Sequence, residues 1–464
     1  MALPDDDDRE QETQTLLVLG AAGDLTERLL LPGLATLLAD GGARDLVLIG
    51  SDRQEWDDEH WRQRVARSFA TAGVEGGATA AVIEHTRYRP ADASSAADLR
   101  GLLEEAEGRV AVYFALPPAV TARACSALRE IGVPDGTRLV MEKPFGTDSA
   151  SAQALNALVG ELVPEDHVHR VDHFLGMSTV LNILGVRFAN RMLEPVLTAE
   201  HVASVDVVFD ESLALEGRAG YYDHAGALMD MLQSHLLQVL ALVAMEPPAT
   251  LHGRDVREGK TQVLRSTHLW DDDPIASSRR ARYTAGKLDG RQLPSYADEQ
   301  GVVPDRQTET LSTVELAVDT WRWAGVPFRL RSGKALGTPR QEVVINFKDP
   351  PRLPTGLSGY QRSDRLRLGL VAHRLALDLN VNGEGDPFTL EPVTLEGVYG
   401  RGDLLEYGQV LRGVLGDAAQ LSIGGDAAVE SWRIVEPVLA AWRENQVPLE
   451  EYPAGSSGPP NWPI

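Results

Sequence analysis

The sequence predicts an α/β domain followed by an α+β domain, on three observations. Short uninterrupted apolar runs alternate with helical stretches from Leu16 to about Phe145, the pattern of a parallel sheet covered on both faces. A glycine turn joins the first of these runs to a helix. After roughly residue 180 the runs lengthen and mix polar with apolar residues, as strands of a mainly antiparallel sheet do.

Taken in order, residues 1–14 read as a disordered, solvated acidic tail. Residues 15–175 form the first domain, with LLVLG, DLVLIG, AVYFAL and RLVMEKPF as its strands. Cys125 falls in a helical stretch, AVTARACSALREIG, and is expected to be a packed, inert thiol. Residues 176–464 form the second domain. HVASVDVVFDES, VPFRLRSGKAL and QEVVINFK are its strands, and the helical stretch Asp230–Met245 lies between the first two. The last residues, EYPAGSSGPPNWPI, carry too much proline and glycine for a helix or an inner strand. No repeat or low-complexity linker separates the domains, so an extensive boundary with a site in its cleft is expected.

Composition narrows the function classes. A 464-residue chain with 43% hydrophobic residues can build two cores. No run of about 18 uncharged apolar residues occurs, and the N-terminus is acidic, so a soluble cytoplasmic protein is expected. The net charge of −24 argues against nucleic acid or an anionic membrane as partner. A single cysteine excludes a disulfide framework and a cysteine-based metal site.

The glycine turn has a mechanism. LLVLG runs into Gly20-Ala21-Ala22-Gly23, then Asp24 and Leu25, then a helix. Glycines allow close backbone approach, and a helix N-terminus offers free N–H groups to a pyrophosphate, a Rossmann-type arrangement. The spacing is G-x-x-G instead of G-x-G-x-x-G, which leaves a plain structural turn as the alternative. DLVLIG ends in Ser51-Asp52-Arg53-Gln54, where an adenine ribose should lie. An arginine there can grip a 2′-phosphate and an acid favours a free 2′-OH, so NADP is favoured and NAD stays open.

Two histidine–carboxylate elements point to proton transfer. In YYDHAGALMDMLQSHLLQ, His235 stands on an apolar helical stretch with Asp230 one and a half turns before it. Upstream, RVDHF holds Asp172 and His173. A lone histidine of this kind is by default a core residue bonded to a carbonyl. Two such elements behind a nucleotide turn suggest an oxidoreductase acting on an alcohol. His167, His169 and His173 in HVHRVDH lack nearby cysteines, and no metal is expected there.

These residues resemble a family. GAAGDLTERLLLP is similar to the nucleotide loop of glucose-6-phosphate dehydrogenases, GASGDLAKRKLxP. The match continues through MEKPFG (141–146), RVDHFLGM (170–177), GYYD…QSHLLQ (220–238) and VPFRLRSGKAL (326–336). The resemblance implies that His235 is the general base for the C1 hydroxyl of a β-pyranose, suited by an ordinary pKa of about 6.5. Asp172 would orient it and stabilise the imidazolium. Lys143 would lie where sugar and cofactor meet. Glu211, Asp230 and Lys334 would contact sugar hydroxyls or the C6 substituent, and His173 would face a C6 phosphate. Gly20, Gly23, Asp24, Leu25, Arg53 and Lys143 would hold NADP, and the product would be a 1,5-lactone. A homodimer or homotetramer built through the second domain's sheet is also implied.

Lysine usage supports two of these roles. Lysine occurs only at 143, 260, 287, 334 and 348, so two of five fall in motifs in a chain that otherwise uses arginine. The departures from the family are Phe174 and Met177 where it has tyrosine and lysine, Met229 for arginine, and Ser234 for asparagine. They remove a hydroxyl donor and a charge from the phosphate grip, worth about 1.5–3 kcal/mol. Ser178, Thr179 or Arg340 could compensate. Three functions follow: NADP-linked oxidation of glucose 6-phosphate, the same C1 oxidation of an aldose unphosphorylated or otherwise substituted at C6, or a silent nucleotide-binding paralogue acting as an assembly partner.

Overall fold

Apolar, β-branched runs at the start of the chain build a seven-stranded sheet. Its parallel strands are β1 (Gln14–Leu19), β2 (Leu46–Asp52), β3 (Arg87–Pro90), β4 (Arg109–Phe114), β5 (Arg138–Glu142) and β6 (Val168–Val171), in the order β6-β5-β4-β1-β2-β3. The chain order reverses at β1, the doubly wound topology whose switch point receives a dinucleotide. The short strand Ser422–Ile423 adds antiparallel to β6. The computed structural model describes residues 13–43, 45–400, 402–416, 419–460 and 462. Of the expected acidic tail, residues 1–12 lie outside the described residues. Gln14 is no part of a tail: it opens β1 and pairs with Leu46 and Arg109.

The chain divides into two compact units, each drawn from several segments. The first comprises Met1–Gly176, Ala249–Arg257 and Gly402–Val429; the second holds Met177–Pro248, Glu258–Arg401 and Glu430–Ile464. The helix Glu406–Leu415 belongs to the first core, where Tyr407, Val410, Leu411 and Val414 pack with Leu31, Leu34 and Trp61. Its approach to the helix Leu31–Ala39 is close, because a Cβ on Gly33 would lie 2.6 Å from that of Tyr407. Cys125 is buried in the helix Pro118–Ile131, and burial pushes its thiol up to about 12, which makes it unreactive.

The second unit is built on a ten-stranded sheet. Its strands are β7 (Val202–Asp210), β8 (Thr267–Leu269), β9 (Ser278–Thr284), β10 (Leu311–Val318), β11 (Phe328–Gly333), β12 (Gln341–Phe347), β13 (Arg365–Gly369), β14 (Arg374–Asn382), β15 (Leu390–Val398) and β16 (Leu449–Pro453). The order is β15-β14-β13-β12-β7-β11-β10-β9-β16, with β8 on β10. Among the described residues only β7–β11 and β9–β16 pair in parallel, so the sheet is mainly antiparallel as expected. The proline-rich end supplies β16, an edge strand, where a missing N–H is tolerated.

A helical stretch, Ala219–Ala244, is long and apolar enough by composition to cross a membrane, although Asp223 and Asp230 interrupt it. Its most apolar window is 89% buried inside the protein, the condition of a core helix. It is also broken: Gly226 has φ 63° and ψ 179°, and residues Leu228–Leu236 form a π-helix.

Candidate active site

In the first unit, β1 ends at Leu19 and the chain turns at Gly20, with φ 91°. A Cβ at Gly20 would lie 2.2 Å from the Ala115 carbonyl oxygen, so only glycine fits. The Gly20 and Ala21 amides donate to the Ser51 carbonyl at 2.8 and 3.0 Å, and the Gly23 amide donates to that of Gly20 at 3.0 Å. A π-helix, Thr26–Leu30, then leads into the α-helix Leu31–Ala39. Arg64 braces the turn from below, donating to the carbonyls of Ala22 and Gly23 at 2.9 and 2.8 Å and pairing with Glu27 at 3.2 Å. Leu25 is partly buried, whereas Asp24 is exposed and pairs with Arg28 at 3.3 Å.

At the end of β2 the two ribose candidates separate. Asp52 accepts the Ala22 amide at 3.3 Å and the Arg53 amide at 2.7 Å, so its carboxylate is spent on the glycine turn. Arg53 is exposed and makes no ion pair among the described residues. A free guanidinium beside an occupied carboxylate fits a 2′-phosphate better than a 2′-hydroxyl.

The chain leaving β6 of the same sheet carries Asp172 and His173. Arg170 on β6 is fully buried and donates to Glu165 at 2.7 Å and to Asn156 at 2.8 Å, fixing the strand that leads to Asp172. Asp172 is 2% exposed and accepts the Phe174 amide at 3.0 Å, which folds residues 173–176 into a 3-10 turn. The His173 ring stacks on Tyr407 with centroids 6.2 Å apart and meets the buried Phe174 ring edge-on at 5.2 Å. Glu142, the residue before Lys143, accepts from Tyr113 and Tyr407. Burial pushes the Glu142 carboxyl up to about 7, against the opposing pull of both tyrosines and of Lys143. Neither tyrosine figured in the sequence reasoning. Tyr113 sat in a strand motif and Tyr407 in a segment without one.

In the second unit, parallel pairing of β7 with β11 sets Asp210 opposite Gly333, so the next residue of each strand, Glu211 and Lys334, come together. Lys334 Nζ lies 2.7 Å from Glu211 Oε2 and 5.1 Å from the centre of the Tyr222 ring. The Tyr452 hydroxyl holds the Lys334 carbonyl at 2.7 Å.

Asp230 and His235 share the π-helix. A ladder of i→i+5 bonds places residues five apart one above the other, instead of one and a half turns apart as an α-helix would. Asp230 Oδ1 accepts from Tyr221 at 3.3 Å and its carbonyl accepts from Ser234 at 2.6 Å; His235 is 1% exposed. Glu309 fixes the start of this helix, accepting the Leu228 amide at 2.9 Å, and was also missed. Burial pushes its carboxyl up to about 7.

Two proposed phosphate compensators are committed elsewhere. Thr179 donates to the Leu370 carbonyl, and Arg340 pairs with Glu342 at 3.3 Å.

Comparison with known proteins decides the family. Residues 17–182 match the glucose-6-phosphate dehydrogenase NAD binding domain, and residues 184–462 match the C-terminal domain of the same family. The chain belongs to the glucose-6-phosphate dehydrogenase family. It is 34% identical to glucose-6-phosphate 1-dehydrogenase of Bacillus subtilis, over 97% of this chain and 96% of that one. It is 37% identical to the Gluconobacter oxydans enzyme, over 96% and 94%. A solved glucose-6-phosphate dehydrogenase in complex with its substrate superposes with a TM-score of 0.87 at 27% identity, covering 97% and 96%. Membership gives the first unit its NAD(P)-binding role, and family members use NADP.

Proposed function

We propose that the chain oxidises the C1 hydroxyl of glucose 6-phosphate to 6-phosphogluconolactone with NADP, a pentose phosphate pathway activity. Identity of 34% and 37% over nearly the whole chain to enzymes of that name carries this reading, in a chain that keeps Asp172, His235, Lys143, Glu211, Asp230 and Lys334. The nicotinamide, when bound, accepts hydride from C1. His235 takes the C1 hydroxyl proton, and Asp172 orients the imidazole and stabilises its protonated form. The Lys334–Glu211 pair and Asp230 hold the sugar, His173 and Lys334 face the C6 phosphate, and Lys143 stands where sugar and cofactor meet. Gly20, Gly23, Asp24 and Leu25 hold the pyrophosphate and Arg53 the 2′-phosphate. The first unit binds nucleotide, and the second binds sugar and assembles a cytoplasmic homodimer or homotetramer through its sheet.

Turnover with glucose 6-phosphate and glucose, each with NADP and NAD, tests the reading. Glucose 6-phosphate with NADP should be the best pair, and His235→Asn should lower kcat by about 10²–10⁴. Better turnover of glucose than of its phosphate would replace the substrate, and no reduction of either cofactor would leave only a nucleotide-binding protein.

A further inference from the structure

We propose that a cavity in the second unit, lined in part by residues 223–226 and 229 around the helix break at Gly226, binds a small anionic metabolite through a phosphate group. None of its lining residues is assigned above to sugar or cofactor. The cavity has a volume of about 370 Å³, and Arg280, Arg306, Arg443, His224, Trp442 and Glu309 are among its lining residues. That size suits a small organic phosphate better than a bare ion.

The charge arrangement points to an anion. Arg280 is 4% exposed, yet its hydrogen bonds go to neutral acceptors, the Val447 carbonyl at 3.0 Å and the Asn445 side-chain oxygen at 3.2 Å. Its guanidinium lies 5.7 Å from the Trp442 ring centre, so the aromatic face supports it without neutralising it. Glu309 is the carboxylate nearest in effect, and burial pushes it up to about 7, so near neutral pH it carries only part of a negative charge and the buried cation is only partly balanced. Arg306 pairs with Asp223 at 2.6 Å, but that carboxylate also accepts from Tyr296 at 2.9 Å and the Val303 amide at 3.0 Å. Arg443 is exposed and has no ion pair among the described residues. Asp305 is the one other carboxylate in the lining. Three guanidinium forks around one cavity, in a chain of net charge −24, match a phosphate's oxygens.

Calorimetric titration of the whole protein with pyrophosphate tests this. Glucose 6-phosphate and NADPH are held at saturation so that the assigned sites are filled, and the readout needs no turnover. Wild type should show saturable binding. Arg443→Glu or Arg306→Gln should weaken it at least tenfold, while Arg129→Glu, a substitution in the first unit, should leave it unchanged. Absence of saturable binding in wild type, or undiminished binding in both cavity variants, overturns the proposal. Thermal unfolding of each variant keeps loss of binding distinct from loss of fold.

Discussion

Gly226→Ala should cripple the protein from a position without chemistry of its own. Gly226 has φ 63° and ψ 179°, a region open essentially to glycine alone, where another residue costs about 1–3 kcal/mol. The added Cβ would also lie 2.3 Å from Glu309 Oε1, the oxygen that accepts the Leu228 amide at 2.9 Å. Displacing that carboxyl forfeits a bond to a charged or strongly polar acceptor, about 1.5–3 kcal/mol. The two effects together come to about 2.5–6 kcal/mol, placed at the first residue of the π-helix that holds Asp230 and His235. At about 2–4 °C per kcal/mol, Tm should fall by at least about 5 °C. Activity of the surviving folded protein should fall by tenfold or more, because the helix start sets the height of His235. Scanning calorimetry and initial rates measure both. Gly220→Ala is the control, since a Cβ there meets nothing within 4 Å and lies in ordinary helix. A Tm within 1 °C of wild type (roughly 0.5 kcal/mol or less) together with an unchanged rate would refute the reasoning.

Three further outcomes are expected. Arg53→Gln should raise KM for NADP about 10–100-fold and leave that for NAD unchanged, because only the 2′-phosphate loses a charge-assisted contact; equal losses with both cofactors would place Arg53 elsewhere. Glu142 is held near 7, above its ordinary 4.5, so between those values the folded protein keeps a proton that the unfolded chain releases. Stability from this group is therefore full below about pH 4.5 and falls as pH rises to about 7, by at most about 3 kcal/mol. Glu142→Gln should gain on wild type in Tm from pH 5 to pH 8, and a constant difference across that range would deny the raised pKa. Met177→Lys should raise kcat/KM for glucose 6-phosphate by up to about 100-fold, since Thr179 and Arg340 are committed to Leu370 and Glu342; no gain would mean that another group already holds the phosphate.

The elements legible in the sequence were those with dense local signals. The four apolar runs became β1, β2, β4 and β5, and the glycine turn stands where strand and helix demanded it. β3 and β6 were not readable as strands, because RYRP and VHRV carry arginine and histidine where a buried strand should be apolar. Arg170 can sit in β6 because Glu165 and Asn156 satisfy it, a compensation visible only in three dimensions. The π-helix escaped for a related reason: one residue of extra winding leaves the apolar stripe nearly intact while shifting Asp230 onto the His235 face. Long-range partners were beyond reach altogether. Glu309 lies 81 residues from Leu228, and Tyr407 meets Glu142 from the far end of the chain.

The three-part make-up of the first unit has a consequence for biosynthesis. Its hydrophobic interior includes Tyr407, Leu411 and Leu415, so a growing chain cannot seal that interior until the ribosome has delivered most of the polypeptide. Until then the groove along Leu31 and Leu34 stays open to water or to chaperones, and the nucleotide fold completes late although its first strand emerges early. A fragment ending at Gly176 should be aggregation-prone for the same reason, and adding the 402–429 peptide in trans is the natural way to rescue it.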